Sequence, residues 1–301
     1  KAEPLYIRAL SIDEKVLGPE HPNTAKTIDN LGNLYFDQAL YSKAEPLYIR
    51  ALSIQEKILG PEHPDIAVSL NNLADLYIKQ GLYSKAEPLY IRALSIDEKV
   101  LGPEHLETAI SINGLANLYF SKQLYSEAEP LYLRALSIAE KVMGLNHHGT
   151  INPRNHLASL YRDIGLYSKA EPLMLRTLAI DEKVLGPEHP DTATTLHNLA
   201  LIYNLQGLYS KAEPLYIRAL SIQEKVLGSE HFYSAETIKN LAINYSSQGI
   251  YEKAIPLMFQ AQKRRVSLIQ RESPYLPLTD REAFVANFKG NYLRSFDFVS
   301  K

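Results

Sequence analysis

The residues best suited to chemistry in this sequence recur on a fixed spacing of 42 residues. Histidine stands at His21, His63, His105, His147, His189 and His231, with a doublet at His147-His148. Imidazole nitrogens ligate transition metals, but a metal needs several ligands converging at helix spacing, such as i and i+4, or from different elements. One His per unit supplies one ligand at each place, so no metal site and no cofactor is expected. Carboxylates follow the same rule: Glu56, Glu98, Glu140, Glu182 and Glu224 repeat with the unit, and side chains repeated for architecture are poor candidates for a unique active site. There is no Cys, no Gly-rich phosphate loop, no H-E-x-x-H and no nucleophile elbow. The expectation is a protein that is not an enzyme.

Asparagine is the other polar residue with a pattern. Asn is a middling helix former that prefers caps and turns, yet it recurs where an apolar periodicity of three to four marks helices. Two readings account for it. A ladder of amides can donate to and accept from a peptide backbone. Alternatively, one Asn per unit bonds a neighbouring helix and fixes the stacking.

The elements that must position these residues are read from the repeat. The word Ala44-Glu45-Pro46-Leu47-Tyr48-Ile49-Arg50-Ala51-Leu52-Ser53-Ile54 stands unchanged at 2–12, 86–96 and 212–222, slightly altered at 128–138 and 170–180, and degraded from Ala254. Each unit has two helical halves. In the first, Ile66, Leu70, Leu73, Ala74 and Tyr77 form one buried face. In the second, Ala86, Leu89, Tyr90, Ala93, Leu94, Ile96 and Val100 do so. Gly81 suits a left-handed residue after the first half, and Gly102-Pro103 stops the second. Ser84 and Glu87 read as a capping box, recurring at Ser42/Glu45, Ser126/Glu129, Ser168/Glu171 and Ser210/Glu213, with Pro88 at the end of the first turn. The recurrent His, next to Pro64 and Pro190, is expected to cap the first helix of its unit. Small residues mark a close helix crossing: Ala74, Ala116, Ala158, Ala200 and Ala242, with Gly32, and opposite them Ala51, Ala93, Ala135 and Ala219, with Thr177 departing.

The expected organisation is an orphan helix at 1–17, then six helix pairs at 22–59, 64–101, 106–143, 148–185, 190–227 and 232–269. Residues 270–301 are expected to be a C-terminal capping helix, near 280–298 with a capping box at Thr279 and Glu282, or a linker. The chain starts at Lys1 inside a repeat word and reads as an excised piece of a longer protein. The formal net charge of −2, from 32 basic and 34 acidic side chains, supplies no field for nucleic acid, and the 20 Tyr lack basic interleaving. No apolar run approaches a membrane span, so no membrane partner is expected. The absence of Cys fits a reducing, cytoplasmic setting.

These residues resemble the tetratricopeptide repeat: Leu73-Ala74, Tyr77, Gly81, Ala86, Tyr90 and Ala93 stand where its small and aromatic signature stands. The 42-residue unit, with Asn71-Asn72-Leu73-Ala74, Arg92-Ala93-Leu94 and Leu101-Gly102-Pro103-Glu104-His105, is similar to the kinesin light chain type. The near-identity of the copies resembles bacterial, particularly cyanobacterial, arrays. The resemblance implies an all-α right-handed superhelical solenoid whose first helices line a concave groove that holds a peptide or partner segment. Carried over residue by residue, it places Asn30, Asn33, Asn71, Asn72, Asp75, Asn113, Asn117, Asn155, His156, Arg162, His197, Asn198, Lys239 and Asn240 in that groove.

Core words barely change between units, whereas two groove positions do: Lys26, Val68, Ile110, Asn152, Thr194 and Glu236 at one, and Phe36, Ile78, Phe120, Arg162, Asn204 and Ser246 at the other. The apolar half is expected to take apolar anchors, and the half with His156, Arg162, His197 and Lys239 acidic or polar groups. The function expected is a protein-binding scaffold; the alternative is a regulatory arm of a larger enzyme, such as the caspase-like proteases of similar bacterial proteins. The exposed apolar face of the orphan helix also allows end-to-end self-association.

Overall fold

The computed structural model describes residues 2–272, all helical or in short connections. The expected helix near 280–298, with Thr279 and Glu282, lies outside the described residues. Thirteen α-helices follow one another among the described residues: α1 (Glu3–Val16), α2 (Pro22–Asp37), α3 (Tyr41–Leu59), α4 (Pro64–Lys79), α5 (Tyr83–Val100), α6 (Leu106–Ser121), α7 (Tyr125–Met143), α8 (Ile151–Asp163), α9 (Tyr167–Val184), α10 (Pro190–Leu205), α11 (Tyr209–Val226), α12 (Phe232–Ser247) and α13 (Tyr251–Glu272). A single 3-10 turn, His148–Thr150, precedes α8. This is an all-α helical-repeat solenoid. The chain divides between Ile138 and Ala139 into two compact units.

Helix starts are set by the recurrent histidine. His63 is extended, at φ −75° and ψ 140°, and its Nδ1 accepts the Asp65 N–H at 3.2 Å. His21, His105, His147, His189 and His231 do the same for the amide two residues on. The bond satisfies one of the orphan donors that every helix start leaves, in the place usually taken by Ser, Thr, Asp or Asn. Gly81 is left-handed at φ 74°, closing the first helix as expected.

The capping box is a correction. α5 starts at Tyr83 with Leu82 as its N-cap, so Ser84 lies inside the first turn. Starts at Leu40, Leu166 and Leu208 are alike and carry no side-chain cap. Here the backbone carbonyl of Leu82 takes two amides, Lys85 at 3.0 Å and Ala86 at 3.2 Å. The glutamate is therefore released for tertiary work. Glu3 accepts from Tyr35 at 2.8 Å and Glu45 from Tyr77 at 3.1 Å, each tying one second helix to the first helix of the next pair. In the second unit, Glu171 accepts from Tyr203 at 3.1 Å and Glu213 from Tyr245 at 2.7 Å. The early start also puts Pro88 in the second turn of α5 rather than at the end of the first.

The first unit is a chain of apolar clusters: Ala25, Ile28, Ala51 and Ile54; then Ile66, Ala67, Leu70, Ala93 and Ile96; then Ala109, Ile112, Ala135 and Ile138. The facing alanines are fully buried, which lets paired helices approach closely, and large leucines fill the space between pairs. The second unit repeats the pattern with Ala193, Leu196, Ala219 and Ile222.

Candidate functional site

In the first unit the polar residues of α2, α4 and α6 form interlocked bonds. Asn33 accepts the Tyr48 hydroxyl at 2.7 Å and Asn117 that of Tyr132 at 2.7 Å, while Asp75 accepts that of Tyr90. Each bond joins the two helices of a pair. Asn72 donates to Asp29 of the preceding pair at 3.3 Å. Asn71 donates to Ser111 of the following pair at 2.7 Å, and Ser111 donates to Asp97 at 2.6 Å. Asn113 is half-buried on α6, and Asn30 is exposed on α2. Burial pushes the carboxyls of Asp29 and Asp75 up, against the bonds they accept, and pushes the Tyr90 phenol far up.

Orientation is the consequence that matters for binding. Because the carbonyl oxygens of Asn33 and Asn117 are held by tyrosine, their amide NH2 groups are fixed in direction. Val68 and Ile110, at one register position of α4 and α6, are 43 % and 56 % exposed. Ile78 and Phe120, near the other end of the same two helices, are half-buried.

In the second unit one chain of bonds follows the same register. Asn240 Nδ2 meets His197 Nε2 at 3.2 Å, His197 Nδ1 meets Thr237 Oγ1 at 2.8 Å, and Thr237 donates to Gln223 at 2.8 Å. The roles follow from the ends: the Asn240 amide can only donate, so His197 carries its hydrogen on Nδ1. Burial pushes His197 down to about 4, opposed by Glu236 and assisted by Lys239 and Arg162. Its ring meets Tyr216 edge-on at 5.6 Å between centroids. Lys239 is paired with Glu236, and Arg162 with Asp163 at 2.7 Å. The cationic face expected for acidic groups is thereby reduced, since His197 is neutral and Lys239 is neutralised. Asn155, His156 and Asn198 are half-buried on α8 and α10, and the Asn155 carbonyl oxygen is buried without a partner.

The bonds seen in the Asn lines are the inter-helix ones: Asn71, Asn72 and Asn240 tie neighbouring pairs, whereas Asn33 and Asn117 tie helices within a pair. Sequence reasoning passed over Arg154. It is fully buried on α8, at the register position of Ile28, Leu70, Ile112, Leu196 and Ile238. That apolar line, read across units, is the signal that identifies it. Among the described residues no group of three metal-ligating side chains converges, and no helix is long and apolar enough to cross a membrane.

Helix pairs of 42 residues, joined by tyrosine, asparagine and glutamate bonds in constant register, define a helical-repeat protein. The chain belongs to the tetratricopeptide repeat family, whose model matches residues 1–57, 27–99, 66–141, 107–183, 150–225 and 191–265. Its structural neighbours include kinesin light chain-like proteins. BtubC (BKLC) from P. vanneervenii is 21% identical, with a TM-score of 0.64 over 76% of this chain and 91% of its own. A putative kinesin light chain of Podosopora anserina with nearly identical repeats is 28% identical, with a TM-score of 0.60 over 69% of this chain and 98% of its own. A Rap protein complexed with Competence and Sporulation Factor shares the fold at 16% identity, with a TM-score of 0.54 over 81% of this chain and 77% of its own. No curated protein matches the chain.

Proposed function

We propose that this chain is a non-catalytic scaffold that binds a peptide or a partner segment along the faces of its first helices. The observation that carries the reading is a contrast in register. The core words are near-identical, but one partly exposed first-helix position holds Lys26, Val68 and Ile110 in the first unit and Asn152, Thr194 and Glu236 in the second. Val68 and Ile110 are 43 % and 56 % exposed at that position. In the first unit, Val68 and Ile110 offer apolar anchorage, and the fixed NH2 groups of Asn33 and Asn117 offer donors for backbone carbonyls. In the second unit, Arg162 is the side chain suited to an acceptor group, with Asn155, His156 and Asn198 beside it in register. Asn71, Asn72, Asp75, His197, Lys239 and Asn240 hold these positions through the bonds described above. Asn30 and Asn113 complete the candidate face.

The test is a peptide array or pull-down with three proteins: the wild type, Val68→Glu/Ile110→Glu, and Arg162→Glu. These side chains lie outside the apolar clusters, so cooperative melting is expected to survive in each. Partners lost from a folded variant support the reading and divide ligands between the units. Partners retained by both variants refute it and move binding to another surface.

A further inference from the structure

The second helices α3, α5, α9 and α11 each carry an arginine and, two turns on, a lysine on the same face: Arg50 and Lys57, Arg92 and Lys99, Arg176 and Lys183, Arg218 and Lys225. In α5 three acceptors answer them. Arg92 meets Glu56 of the preceding second helix at 2.6 Å and the Pro61 carbonyl at 3.3 Å, and Lys99 meets Glu62, the next residue of that loop, at 2.6 Å. The set recurs in α11, with Arg218 on Glu182 and the Pro187 carbonyl, and Lys225 on Glu188. In α9 both cations remain and all three acceptors are lost. The glutamate in register is Glu140 and the carbonyl is that of Leu145, and both are taken by Arg154, at 2.8 Å and 3.1 Å. The loop glutamate is replaced by Asn146. Half-buried Arg176 is left with the Asn146 side-chain oxygen at 3.2 Å, and exposed Lys183 has no carboxylate partner among the described residues.

We infer that Arg176, Lys183 and the Asn146 amide form a binding site for a phosphate group, free or carried on a side chain. The place that the Glu62 and Glu188 carboxylates take in their own repeats is bordered here by two cations and an exposed asparagine. Because the Asn146 oxygen accepts from Arg176, its NH2 is a further donor. Charge selects phosphate over carboxylate. In α5 and α11 one carboxylate serves each cation, so two glutamates are used. A phosphate monoester brings a charge of about −1.5 to −2 on one group and can answer both cations, with arginine binding two of its oxygens as a fork. Arg154 keeps the site free of the chain's own carboxylate. Its side chain is fully buried and draws Glu140 away from Arg176. The site is on a second helix, so it goes beyond the peptide face proposed for the first helices.

The test is an NMR amide titration of the full chain with inorganic phosphate, beside potassium chloride at equal ionic strength. The loop around Asn146 differs in sequence from those of the other repeats, so its signals are separable. Phosphate is expected to shift the amides of that loop and of the Arg176–Lys183 stretch, and chloride is not. Lys183→Gln is expected to weaken binding about two- to five-fold, the worth of one exposed charge pair. Asn146→Glu, which restores the residue of the other loops, is expected to abolish it without harm to folding. Arg154→Leu, which returns Glu140 to Arg176, is expected to weaken it as well. A glycine-flanked phosphoserine tripeptide separates the sources: the same shifts with it extend the site to a phosphorylated side chain, and shifts with phosphate alone confine it to the free ion. The inference is overturned by shifts scattered over the surface, by an equal response to chloride, or by binding that survives Asn146→Glu unchanged. None of these results touches the first-helix reading, whose variants lie on α4, α6 and α8.

Discussion

The Tyr90 hydroxyl donates to a carboxylate, Asp75, whereas the same pair of positions in the flanking repeats joins tyrosine to an amide, Tyr48 with Asn33 and Tyr132 with Asn117. The carboxylate takes the same place as the amide oxygen, but it carries a charge into a buried place. Burial accordingly raises the Asp75 carboxyl. A folded-state value above the unfolded one means that the folded protein binds the extra proton. Stability from this group is then full below the ordinary carboxylate range and falls as pH rises through the raised value. Asp75→Asn keeps the acceptor and removes the charge. It is expected to stabilise the protein by about 1 kcal/mol at neutral pH, with the difference shrinking towards acid pH. Denaturant midpoints at several pH values check this, and a lower midpoint for Asp75→Asn at pH 7 would count against it.

His197 predicts the opposite slope. Its value is pushed down to about 4, below the roughly 6.5 of an unfolded histidine. Between those values the unfolded chain binds more protons, so stability rises with pH across the window and is fully present above it. Acidification from pH 7 to pH 4 is expected to cost up to about 3 kcal/mol through this residue. His197→Asn places in α10 the residue that stands at the same register in Asn71 and Asn155, and it can still bond Thr237. The variant is expected to lose that part of the pH dependence while binding to the first unit is unchanged. An NMR titration showing His197 protonating near 6.5 would refute the assignment.

The second residue past each first helix is left-handed. It is Gly81, Gly165, Gly207 and Gly249 in four copies, but Ala39 and Gln123 in two, at φ 56° and 60°. A side chain in this region clashes with its own carbonyl at a cost of about 1 kcal/mol. Ala39→Gly and Gln123→Gly are each expected to raise stability by several tenths to about 1 kcal/mol, the gain being reduced by the freedom glycine adds to the unfolded chain. Gly81→Ala is expected to lower it by a similar amount, and thermal melts of the three variants check the pattern.

Helix bounds were legible because the apolar line Ile66, Leu70, Leu73 and the stops at Gly81 and Gly102 are local signals, and His63 was legible as a cap because Pro64 follows it. The start of the second helices was not. Ser84 and Glu87 have capping-box spacing, but Tyr83 already enters the helix, and nothing local says that Glu45 is wanted by a tyrosine 32 residues away. The candidate face suffered from the same limit. Asn71 and Asn72 differ by one position, yet one reaches forward to Ser111 and the other back to Asp29. Sequence spacing places residues on a helix face but does not assign their partners.

Arg154 gives the sharpest prediction because the repeat provides its own control. Its neighbours in register are Ile and Leu, and like them it is fully buried. Nη2 donates to Glu140 at 2.8 Å and to the Leu145 carbonyl at 3.1 Å, while Nε and Nη1 are buried with no partner. Thr177, which departs from the alanine of the other units, is also buried with its hydroxyl unsatisfied. Elsewhere that glutamate pairs with the arginine of the next second helix, as Glu98 does with Arg134 at 2.8 Å and Glu182 with Arg218 at 2.6 Å. Arg154 displaces this pairing, and Arg176 turns instead to Asn146 at 3.2 Å. Replacing a buried ion pair with apolar side chains of similar size is often neutral or stabilising by about 1–4 kcal/mol, whereas removing one partner alone costs about 3–5 kcal/mol. Arg154→Leu is therefore expected to stabilise the second unit, since leucine restores the apolar line of α8 and Glu140 is returned to Arg176. Glu140→Gln is expected to destabilise the wild type strongly and the Arg154→Leu variant only slightly. A double-mutant cycle from denaturant midpoints measures that coupling. Equal effects of Glu140→Gln in both backgrounds would show that the guanidinium does not depend on Glu140 for its place in the core.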